Sequence, residues 1–301
     1  MAARRVEVEI QGRTLSLSNL DKVLYPEAGF TKGHVIDYYT RVAPYVLPHL
    51  RGRPLTLKRY PNGVDAPYFY EKQCPSHRPD WVRTAAVYSR SNDRTIDFCL
   101  ADDLPTLVWL ANLADLELHP SLALAADVTA PVILAFDLDP GAPATIVECA
   151  EVALELRRAF EHLGMQCFPK TSGSKGMQVY VPLNTPASYE QTKTFARGIA
   201  QVLERRMPAL VVSSMAKSVR KGRVFVDWSQ NDEHKTTVSV YSLRARPQPT
   251  VSTPLRWEEV EAVTASREPE DLVFTSADVL ARTAEHGDLF KPVIELEQAL
   301  P

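Results

Sequence analysis

Cysteine, long apolar runs and a surplus of basic residues are all missing or scarce in this sequence of 301 residues. The four cysteines, Cys74, Cys99, Cys149 and Cys167, are widely separated and form no C-x-x-C pair, so the sequence predicts neither a disulfide framework nor a zinc site. No window approaches the ~20 apolar residues of a membrane helix, and the first residues alternate in polarity instead of forming the apolar block of a signal peptide. We therefore expect a soluble protein of the reducing cytoplasm with no membrane contact.

The charge balance excludes a broadly basic surface. Lysine and arginine number 34 and aspartate and glutamate 37, which gives a formal net charge of -3. Proteins that bind polyanions over a wide face usually carry a basic surplus, so any contact with nucleic acid here is expected to rest on local clusters. A chain that is 45% hydrophobic and 24% charged is typical of globular proteins, and its length allows one large core or two modest ones.

The sequence pattern changes near residue 130. Residues 1–130 contain short alternating segments separated by proline-rich loops, which predicts a β-rich N-terminal portion. Thr31 is the predicted N-cap of a helix that ends before Arg51, and the run from Leu104 to His119 is a second helical candidate.

Residues 131–301 have a more regular pattern. An apolar run over Val132–Leu138 predicts a buried strand, and helical spacing follows over Thr145–Leu163. The next predicted elements are strands over Met165–Pro169 and Met177–Pro182, a helix over Tyr189–Met207 and a strand in RVFVDWS. This order is that of ferredoxin-like and RNA-recognition-motif (RRM) folds, in which both helices cover one face of an antiparallel sheet. We predict one α+β domain over residues 1–301, an α/β two-layer arrangement with an RRM-like core at 131–301 and an N-terminal subregion at 1–130.

The segment VILAFDLDPG ends a buried strand with two carboxylates, Asp137 and Asp139. Residues two apart in a strand point to the same face, and carboxylates held that close repel until a proton or a hard cation relieves them. The alternative is that Asp-Pro-Gly forms a turn and that Asp137 is a solvated strand end. Asp227 ends the last strand of the predicted sheet, which is expected to lie beside the first. Three carboxylates there would hold one or two divalent ions for phosphoryl chemistry.

The segment KTSGSKG, residues 170–176, lies between two predicted strands. Its small residues allow successive N–H groups to form an anion nest, and Lys175 adds a charge. The spacing of a P-loop is absent, and a plain glycine-rich hairpin with an exposed lysine remains the alternative. Further cations surround Asp227 in the sequence, namely Lys217, Arg220, Lys221, Arg223, Lys235, Arg244 and Arg246.

The N-terminal portion offers a second set of candidates. Lys58 and Arg59 lie close in sequence to Tyr68, Phe69 and Tyr70, a mixture of cations and aromatic rings suited to clamping a phosphate and stacking a base. The alternative is that the aromatic residues fill a small β core. His119 ends the second helical candidate, where a histidine is either a capping or core residue or a substrate contact.

Several motifs together resemble one known family. FDLDPG, TSGSKG, KSVRKGRVFVDWSQN, KTTVSVYSLRAR, LDKVLYP and LKRYPNGVDAPYFYEKQ are similar to the polymerase domain of bacterial ligase D, of the archaeo-eukaryotic primase superfamily. The resemblance spans roughly residues 19–290. It implies a primase-like polymerase, stand-alone or excised from a larger ligase, which extends DNA 3′ ends and fills short gaps in non-homologous end joining with Mn²⁺ or Mg²⁺ and NTP or dNTP substrates.

The resemblance also implies roles for individual residues. The metal ligands and catalytic residues would be Asp137, Asp139 and Asp227. Contacts to the nucleotide would come from Lys58, His119, Ser172, Lys175, Arg220, Lys235, Arg244 and Arg246. DNA would be held by Arg59, by Phe69 and Tyr70 stacked on the template, and by Lys22 and Lys32 on a downstream 5′-phosphate. The implied partners are gapped or broken DNA with a 5′-phosphate, together with ligase and Ku-type end-joining proteins, and no zinc.

The mechanism expected from these assignments is two-metal nucleotidyl transfer. Three alternatives stand beside it: a gap-filling primase-polymerase of excision repair, a non-catalytic adaptor that binds DNA ends, and a metal-dependent phosphodiesterase. The last does not account for the cations on the triphosphate side.

Overall fold

A computed structural model describes residues 5–89 and 93–301 of the chain, as sixteen strands, seven α-helices and three short 3₁₀ turns within those ranges. The strands are β1 Arg5–Ile10, β2 Arg13–Ser18, β3 Val23–Tyr25, β4 Phe30–Thr31, β5 Leu55–Arg59, β6 Phe69–Glu71, β7 Thr84–Ser89, β8 Arg94–Cys99, β9 Asp115–Pro120, β10 Ala123–Leu124, β11 Asp127–Pro131, β12 Ile133–Pro140, β13 Phe168–Thr171, β14 Met177–Pro182, β15 Val211–Val212 and β16 Val224–Asp227. The helices are α1 Lys32–Leu50, α2 Leu104–Asn112, α3 Ile146–His162, α4 Tyr189–Arg206, α5 Trp257–Ser266, α6 Ser276–His286 and α7 Pro292–Glu295. In these described ranges no helix is both long and apolar enough to cross a membrane.

The C-terminal sheet has the predicted RRM-like topology. Its strand order is β13-β14-β12-β16-β15, and β12 is antiparallel to both β14 and β16. Leu134, Phe136 and Leu138 of β12 pack into a core with α3 and α4, so both helices cover one face. Because side chains alternate along a strand, the opposite face of β12 carries Ile133, Ala135 and then the aspartates. The predicted α+β fold is confirmed, with β15 as an additional short strand parallel to β16.

The opposite face of this sheet packs against the N-terminal half of the chain. There β5 pairs with β6, β8 and β9, and β7 and β8 form a hairpin. Ile133 and Ala135 join the same hydrophobic core as α1, α2 and β5. The two halves therefore share a core, and the aspartates lie where that shared core opens to solvent.

The predicted boundaries of three helices are confirmed, and those of one strand are shifted. The Thr31 hydroxyl accepts a hydrogen bond from the His34 N–H at 3.3 Å, and His34 Nδ1 accepts from the Thr31 N–H at 3.0 Å, which forms a capping box and starts α1 where predicted. Helices α3 and α4 also begin and end within one residue of the predicted limits. The strand expected over Met165–Pro169 instead runs from Phe168 to Thr171, because its pairing with β14 starts only at Phe168.

The prediction of one helix from Leu104 to His119 is wrong in its second half. Helix α2 ends at Asn112, the chain reverses through Ala114 at φ 58°, and Asp115–Pro120 forms strand β9, paired with β5. The apolar residues Leu116 and Leu118 alternate with Asp115, Glu117 and His119, a period of two that the preceding apolar run obscures.

The prediction that no cysteines are bonded is also wrong. Cys74 and Cys99 form a disulfide, while Cys149 and Cys167 are free and buried. The pairing is possible despite the sequence separation of 25, because the Cys74 N–H donates to the Asp97 carbonyl oxygen at 2.6 Å and brings the loop alongside β8.

Candidate active site

The two aspartates of β12 lie beside the aspartate of β16. Asp137 is directly opposite Asp227 in the antiparallel pairing, and Asp139 follows two residues along the same face. Burial and the charge of Asp139 raise the pKa of Asp137 to about 7, and Asp227 adds to the repulsion. Burial and Asp227 also raise the pKa of Asp139. The predicted proximity of the three residues is thus observed, and the group is short of positive charge.

The chemistry of this group suits a hard divalent cation, which binds oxygen ligands and would relieve the repulsion. The carboxylate of Asp227 is engaged elsewhere: Oδ1 accepts from the Ser229 N–H at 2.9 Å and hydroxyl at 2.5 Å, and Oδ2 accepts from Gln230 Nε2 at 2.8 Å. Across the described ranges, no three His, Cys, Asp or Glu side chains form a preassembled ligand set. Asp137 and Asp139 therefore fit a cation as they stand, and Asp227 would join after turning from its own loop.

A buried lysine and a glutamine support Asp137 from behind, and sequence reasoning missed both. Lys170 is completely buried, and its Nζ donates to Gln178 Oε1 at 2.5 Å, to Ser252 Oγ at 2.7 Å and to the Val238 carbonyl at 3.1 Å. The other end of the Gln178 amide, Nε2, donates to Asp137 Oδ1 at 3.1 Å, so Gln178 connects Lys170 to Asp137. Lys170 thus belongs to the strand behind the site and not to the loop in which the sequence analysis placed it.

The Ser172–Gly176 loop connects β13 to β14. Ser172 Oγ accepts hydrogen bonds from the N–H groups of Ser174 and Gly176, each at 3.2 Å. Two N–H groups of the predicted anion nest therefore already have a partner, Ser172 is buried, and the loop exposes Ser174 and Lys175 to solvent. Gly176 is required for close approach, since a Cβ there would overlap the Leu138 carbonyl oxygen.

On the far side of the loop, Glu117 of β9 lies among the predicted nucleotide-side cations. Its Oε2 accepts from Lys58 Nζ at 3.0 Å and from His119 Nε2 at 3.1 Å, and Arg244 Nε lies 3.4 Å away. Arg244 also donates to the Ser172 carbonyl oxygen. The sequence analysis did not single out Glu117, because it assigned this residue to a helix; the alternation of Asp115, Glu117 and His119 is the signal that would have assigned it to a strand.

These elements surround one cleft of about 440 Å³. The predicted site residues that line it are Tyr70, His119, Asp137, Asp139, Ser172, Lys175 and Arg244, together with Gln178 and Gln230. A carboxylate wall thus faces cationic and hydroxyl-bearing side chains across a space open to solvent. Lys58 reaches this cleft through Glu117 and through the aromatic rings described below.

Besides Lys58, three predicted nucleotide contacts lie outside the lining of this cleft. Arg220 donates to the Met215 carbonyl at 2.7 Å and stacks on Phe225, and its charge opposes the rise in the pKa of Asp139. Lys235 Nζ donates at 2.5 Å to Ser229 Oγ, the hydroxyl bonded to Asp227. Arg246 lines a neighbouring cleft of about 630 Å³ on the other side of Gly173–Lys175.

The turn that follows Asp227 is tied to the first strand of the sheet. The Asn231 side chain accepts from the Ala135 N–H at 2.9 Å and donates to the Ala135 carbonyl at 2.8 Å. The side-chain amide therefore continues the pairing of β12 with a backbone-like pair of hydrogen bonds.

The aromatic residues at the edge of the cleft are exposed, so they do not fill a β core. Tyr68, Phe69 and Tyr70 have 51%, 43% and 56% of their surface accessible. Lys58 Nζ lies 4.6 Å from the centre of the Tyr68 ring, and the Arg59 guanidinium lies 5.1 Å from that of Phe69. Cations held over exposed rings leave the other ring surfaces free for stacking.

Lys22 and Lys32 are neighbours away from the cleft: the Lys32 N–H donates to the Lys22 carbonyl oxygen at 2.8 Å, and Lys32 is buried while Lys22 is exposed. Lys32 Nζ donates to Ser18 Oγ at 3.3 Å and to the Asn112 carbonyl at 3.0 Å, and Lys22 Nζ donates to Asn62 Oδ1 at 2.9 Å. Burial, with the nearby charge of Lys22, lowers the pKa of Lys32 to about 8. Because the charge of Lys22 acts on Lys32, an anion bound near the pair would be stabilised by both ammonium groups.

Comparison with known proteins gives a consistent result. Residues 31–290 match the family described as LigD, primase-polymerase domain. The chain is 43% identical over 285 residues to the multifunctional non-homologous end joining DNA repair protein LigD of Mycobacterium tuberculosis, and 32% identical over 275 residues to the bifunctional non-homologous end joining protein LigD of Bacillus subtilis. These alignments cover 92% and 91% of the chain but only 36% and 43% of the relatives.

A solved structure is also similar over nearly the whole chain. The polymerase domain of Mycobacterium tuberculosis Ligase D in complex with DNA is 41% identical, with a TM-score of 0.87 and coverage of 94% of this chain and 99% of that one. The full-length curated relatives are more than twice as long as the part to which this chain corresponds.

Proposed function

The chain belongs to the LigD primase-polymerase family of nucleotidyltransferases, and from this membership we propose that it extends DNA 3′ ends on a template and fills short gaps during non-homologous end joining. The observation that carries the proposal is the cleft in which Asp137 and Asp139 face Lys175 and Arg244. Such a site provides oxygen ligands for a cation on one side and positive charge for a triphosphate on the other.

Asp137 and Asp139, joined by Asp227, would hold Mn²⁺ or Mg²⁺, in one or two ions, which supply charge neutralisation and activation of a hydroxyl when they are bound. Gln178 orients Asp137 by donating to Oδ1, so the other carboxylate oxygen is left for ligation. Lys170 holds Gln178 in that orientation. The chain thereby fixes its metal-binding face from within the core.

The remaining residues bind the substrates. Lys175 and Arg244 stabilise the negative charge that grows on pyrophosphate as it leaves, and the Ser172 hydroxyl donates to the same phosphates. Lys58 and His119 position the nucleotide sugar and phosphates. Arg220, Lys235 and Arg246 lie outside the cleft lining, and we assign them to approaching phosphates of nucleotide or template.

We assign the DNA contacts to two surfaces. Phe69 and Tyr70 stack on template bases, while Arg59 holds Phe69. Lys22 and Lys32 bind a 5′-phosphate on the downstream strand. The proposed partners are therefore gapped or broken DNA and, in the bacterial cytoplasm, a ligase and Ku-type proteins.

The test is primer extension on a gapped duplex with Mn²⁺ and each nucleotide type, with and without the downstream 5′-phosphate. The Asp137→Ala/Asp139→Ala double variant is expected to lose at least about 10²-fold in rate while it still folds and binds DNA. Glu7→Gln, on exposed strand β1, removes one carboxylate away from the cleft and serves as the control. Extension by the folded double variant would contradict the catalytic assignment. DNA binding by the wild type without incorporation would favour an end-binding adaptor, and shortening of the primer would favour a phosphodiesterase.

A further inference from the structure

Glu117 is a single buried carboxylate at the centre of the nucleotide side of the cleft. Only 2% of its surface is accessible. Its Oε2 is shared by Lys58, His119 and Arg244, as described above. Its Oε1 accepts from the Ala245 N–H at 3.0 Å and from the Tyr60 hydroxyl at 3.3 Å. One carboxylate therefore connects β5, β9 and the chain at residues 244–245.

The two oxygens of Glu117 have different surroundings, and this difference carries the inference. The Oε1 position faces an N–H and an O–H from Ala245 and Tyr60, which must find an acceptor there. The Oε2 position faces the side chains that touch the cleft. Burial alone would raise the pKa of Glu117, but the hydrogen bond from His119 and the charges of Arg244 and Lys58 outweigh burial and hold that pKa below its usual range.

An ionised Glu117 dictates where His119 carries its proton. Nε2 lies 3.1 Å from a carboxylate oxygen, so Nε2 must be the protonated nitrogen. Burial lowers the pKa of His119 despite Glu117, and the charges of Arg244 and Lys58 act in the same direction, so the ring is neutral near pH 7. A neutral ring protonated at Nε2 presents Nδ1 as an acceptor. The ring lines the cleft beside Tyr70.

We propose that Glu117 is a positioning residue that holds Lys58, His119 and Arg244 together and sets the tautomer of His119, so that Nδ1 accepts a hydrogen bond from a sugar hydroxyl of the incoming nucleotide. The identity of the ligand rests on the proposed function; the tautomer does not. A site with an acceptor at this position favours a hydroxyl, which can donate, over a fluorine, which cannot.

The Glu117→Gln variant separates this role from a merely structural one. With the amide oxygen at the Oε1 position, where it accepts from Ala245 and Tyr60, the amide NH₂ takes the Oε2 position and faces His119, Lys58 and Arg244. Lys58 and Arg244 can only donate and must withdraw from the amide, whereas His119 can adapt by exchanging its proton. His119 Nε2 then becomes the acceptor, and the proton moves to Nδ1. The variant is isosteric, yet it is expected to invert the tautomer that the cleft presents.

The first measurement is ¹⁵N NMR of protein labelled at histidine, with the His119 signal assigned by its loss in a His119→Gln variant. We expect Nε2 protonation in the wild type, Nδ1 protonation in Glu117→Gln, and no change in the control Glu259→Gln, which breaks a half-buried glutamate–Arg282 pair outside the cleft. Wild-type protein protonated at Nδ1 would overturn the proposal even if the variant fails to fold. An unchanged tautomer in folded Glu117→Gln would overturn it as well.

The second measurement is single-nucleotide incorporation with natural nucleotides and with 2′-fluoro and 3′-fluoro analogues. In the wild type, replacement of the contacted hydroxyl by fluorine should lower kcat/KM about three- to tenfold, mainly through KM. In Glu117→Gln this ratio should fall towards one, because Nδ1–H can donate to fluorine, whereas Glu259→Gln should keep the wild-type ratio. Equal ratios in wild type and Glu117→Gln would refute the sugar contact. Absence of any incorporation by the wild type would instead refute the proposed function, and the NMR result would still decide the role of Glu117 in setting the tautomer.

Discussion

Replacement of Asp137 by asparagine should make the metal-free protein more stable while abolishing activity. The folded state holds this carboxyl among Asp139 and Asp227 and raises its pKa from the unfolded value of 3.8 to about 7. An acid with a raised folded pKa loses stability as pH rises through the interval between the two values, here from about 4 to about 7. Each unit of pKa difference is worth about 1.4 kcal/mol, so ionised Asp137 lowers the free energy of unfolding by roughly 2–4 kcal/mol at pH 8. The upper part of that range includes repulsion that Asp137 shares with Asp139.

The Asp137→Asn variant removes this cost and keeps the supporting contact. Its amide oxygen can still accept from Gln178 Nε2, which reaches Asp137 Oδ1 at 3.1 Å. We therefore expect urea unfolding in EDTA to give a variant more stable than wild type by about 2–4 kcal/mol at pH 8 and by only about 1 kcal/mol at pH 4.5. Added Mn²⁺ should stabilise the wild type and have much less effect on the variant, since ligand binding to the folded state adds to its stability.

The control is Glu7→Gln, which removes one negative charge from the exposed face of β1 and is expected to change stability by less than about 0.5 kcal/mol at either pH. Our reasoning fails if Asp137→Asn is no more stable than wild type at pH 8, or if the gain is the same at pH 4.5. Either result would mean that the carboxylates do not repel each other in the folded protein.

Three further predictions concern other surfaces. Stimulation of gap filling by a downstream 5′-phosphate should decline as pH rises through about 8, where Lys32 loses its proton. A Lys32→Arg variant should shift this decline to higher pH. An identical pH profile for wild type and variant would argue against a phosphate contact. Tyr70→Ala should weaken binding of gapped DNA by about 1–3 kcal/mol and Tyr70→Phe by almost nothing, as titrated by fluorescence anisotropy; equal losses would exclude stacking. Reduction of the bond between Cys74 and Cys99 should lower the free energy of unfolding by about 3 kcal/mol. Titration of the denatured, unreduced protein should find the two thiols of Cys149 and Cys167, and four thiols before reduction would refute the pairing.

The sequence predicted the parts of the fold that rest on local patterns. The capping residue and apolar spacing of α1, α3 and α4 are local signals, and the apolar run before Asp137 identified the central strand. The RRM-like order then implied that the strand ending in Asp227 lies beside the first, and the structure has this pairing. The switch from α2 to β9 was not predictable in the same way, because pairing with β5 overrides an apolar run that also suits a helix.

The roles of the residues that support the site could not be predicted from the sequence, for a related reason. Lys170 and Glu117 look like ordinary surface residues in the sequence, since lysine and glutamate are rarely buried without partners. Their partners come from segments far away in the chain, such as Ser252 for Lys170 and Ala245 for Glu117. Residues that contact substrate lie in recognisable motifs, whereas residues that hold them are defined only by tertiary contacts.

The pair of hydrogen bonds between Asn231 and Ala135 has a consequence for the order of folding. These residues are 96 positions apart, so the bonds can form only after most of the C-terminal half has collapsed. The same closure brings Asp227 beside Asp137. The mutually repelling carboxylates are thus brought together by a nonlocal contact, and this edge is expected to be the first to open in native-state hydrogen exchange at high pH without metal.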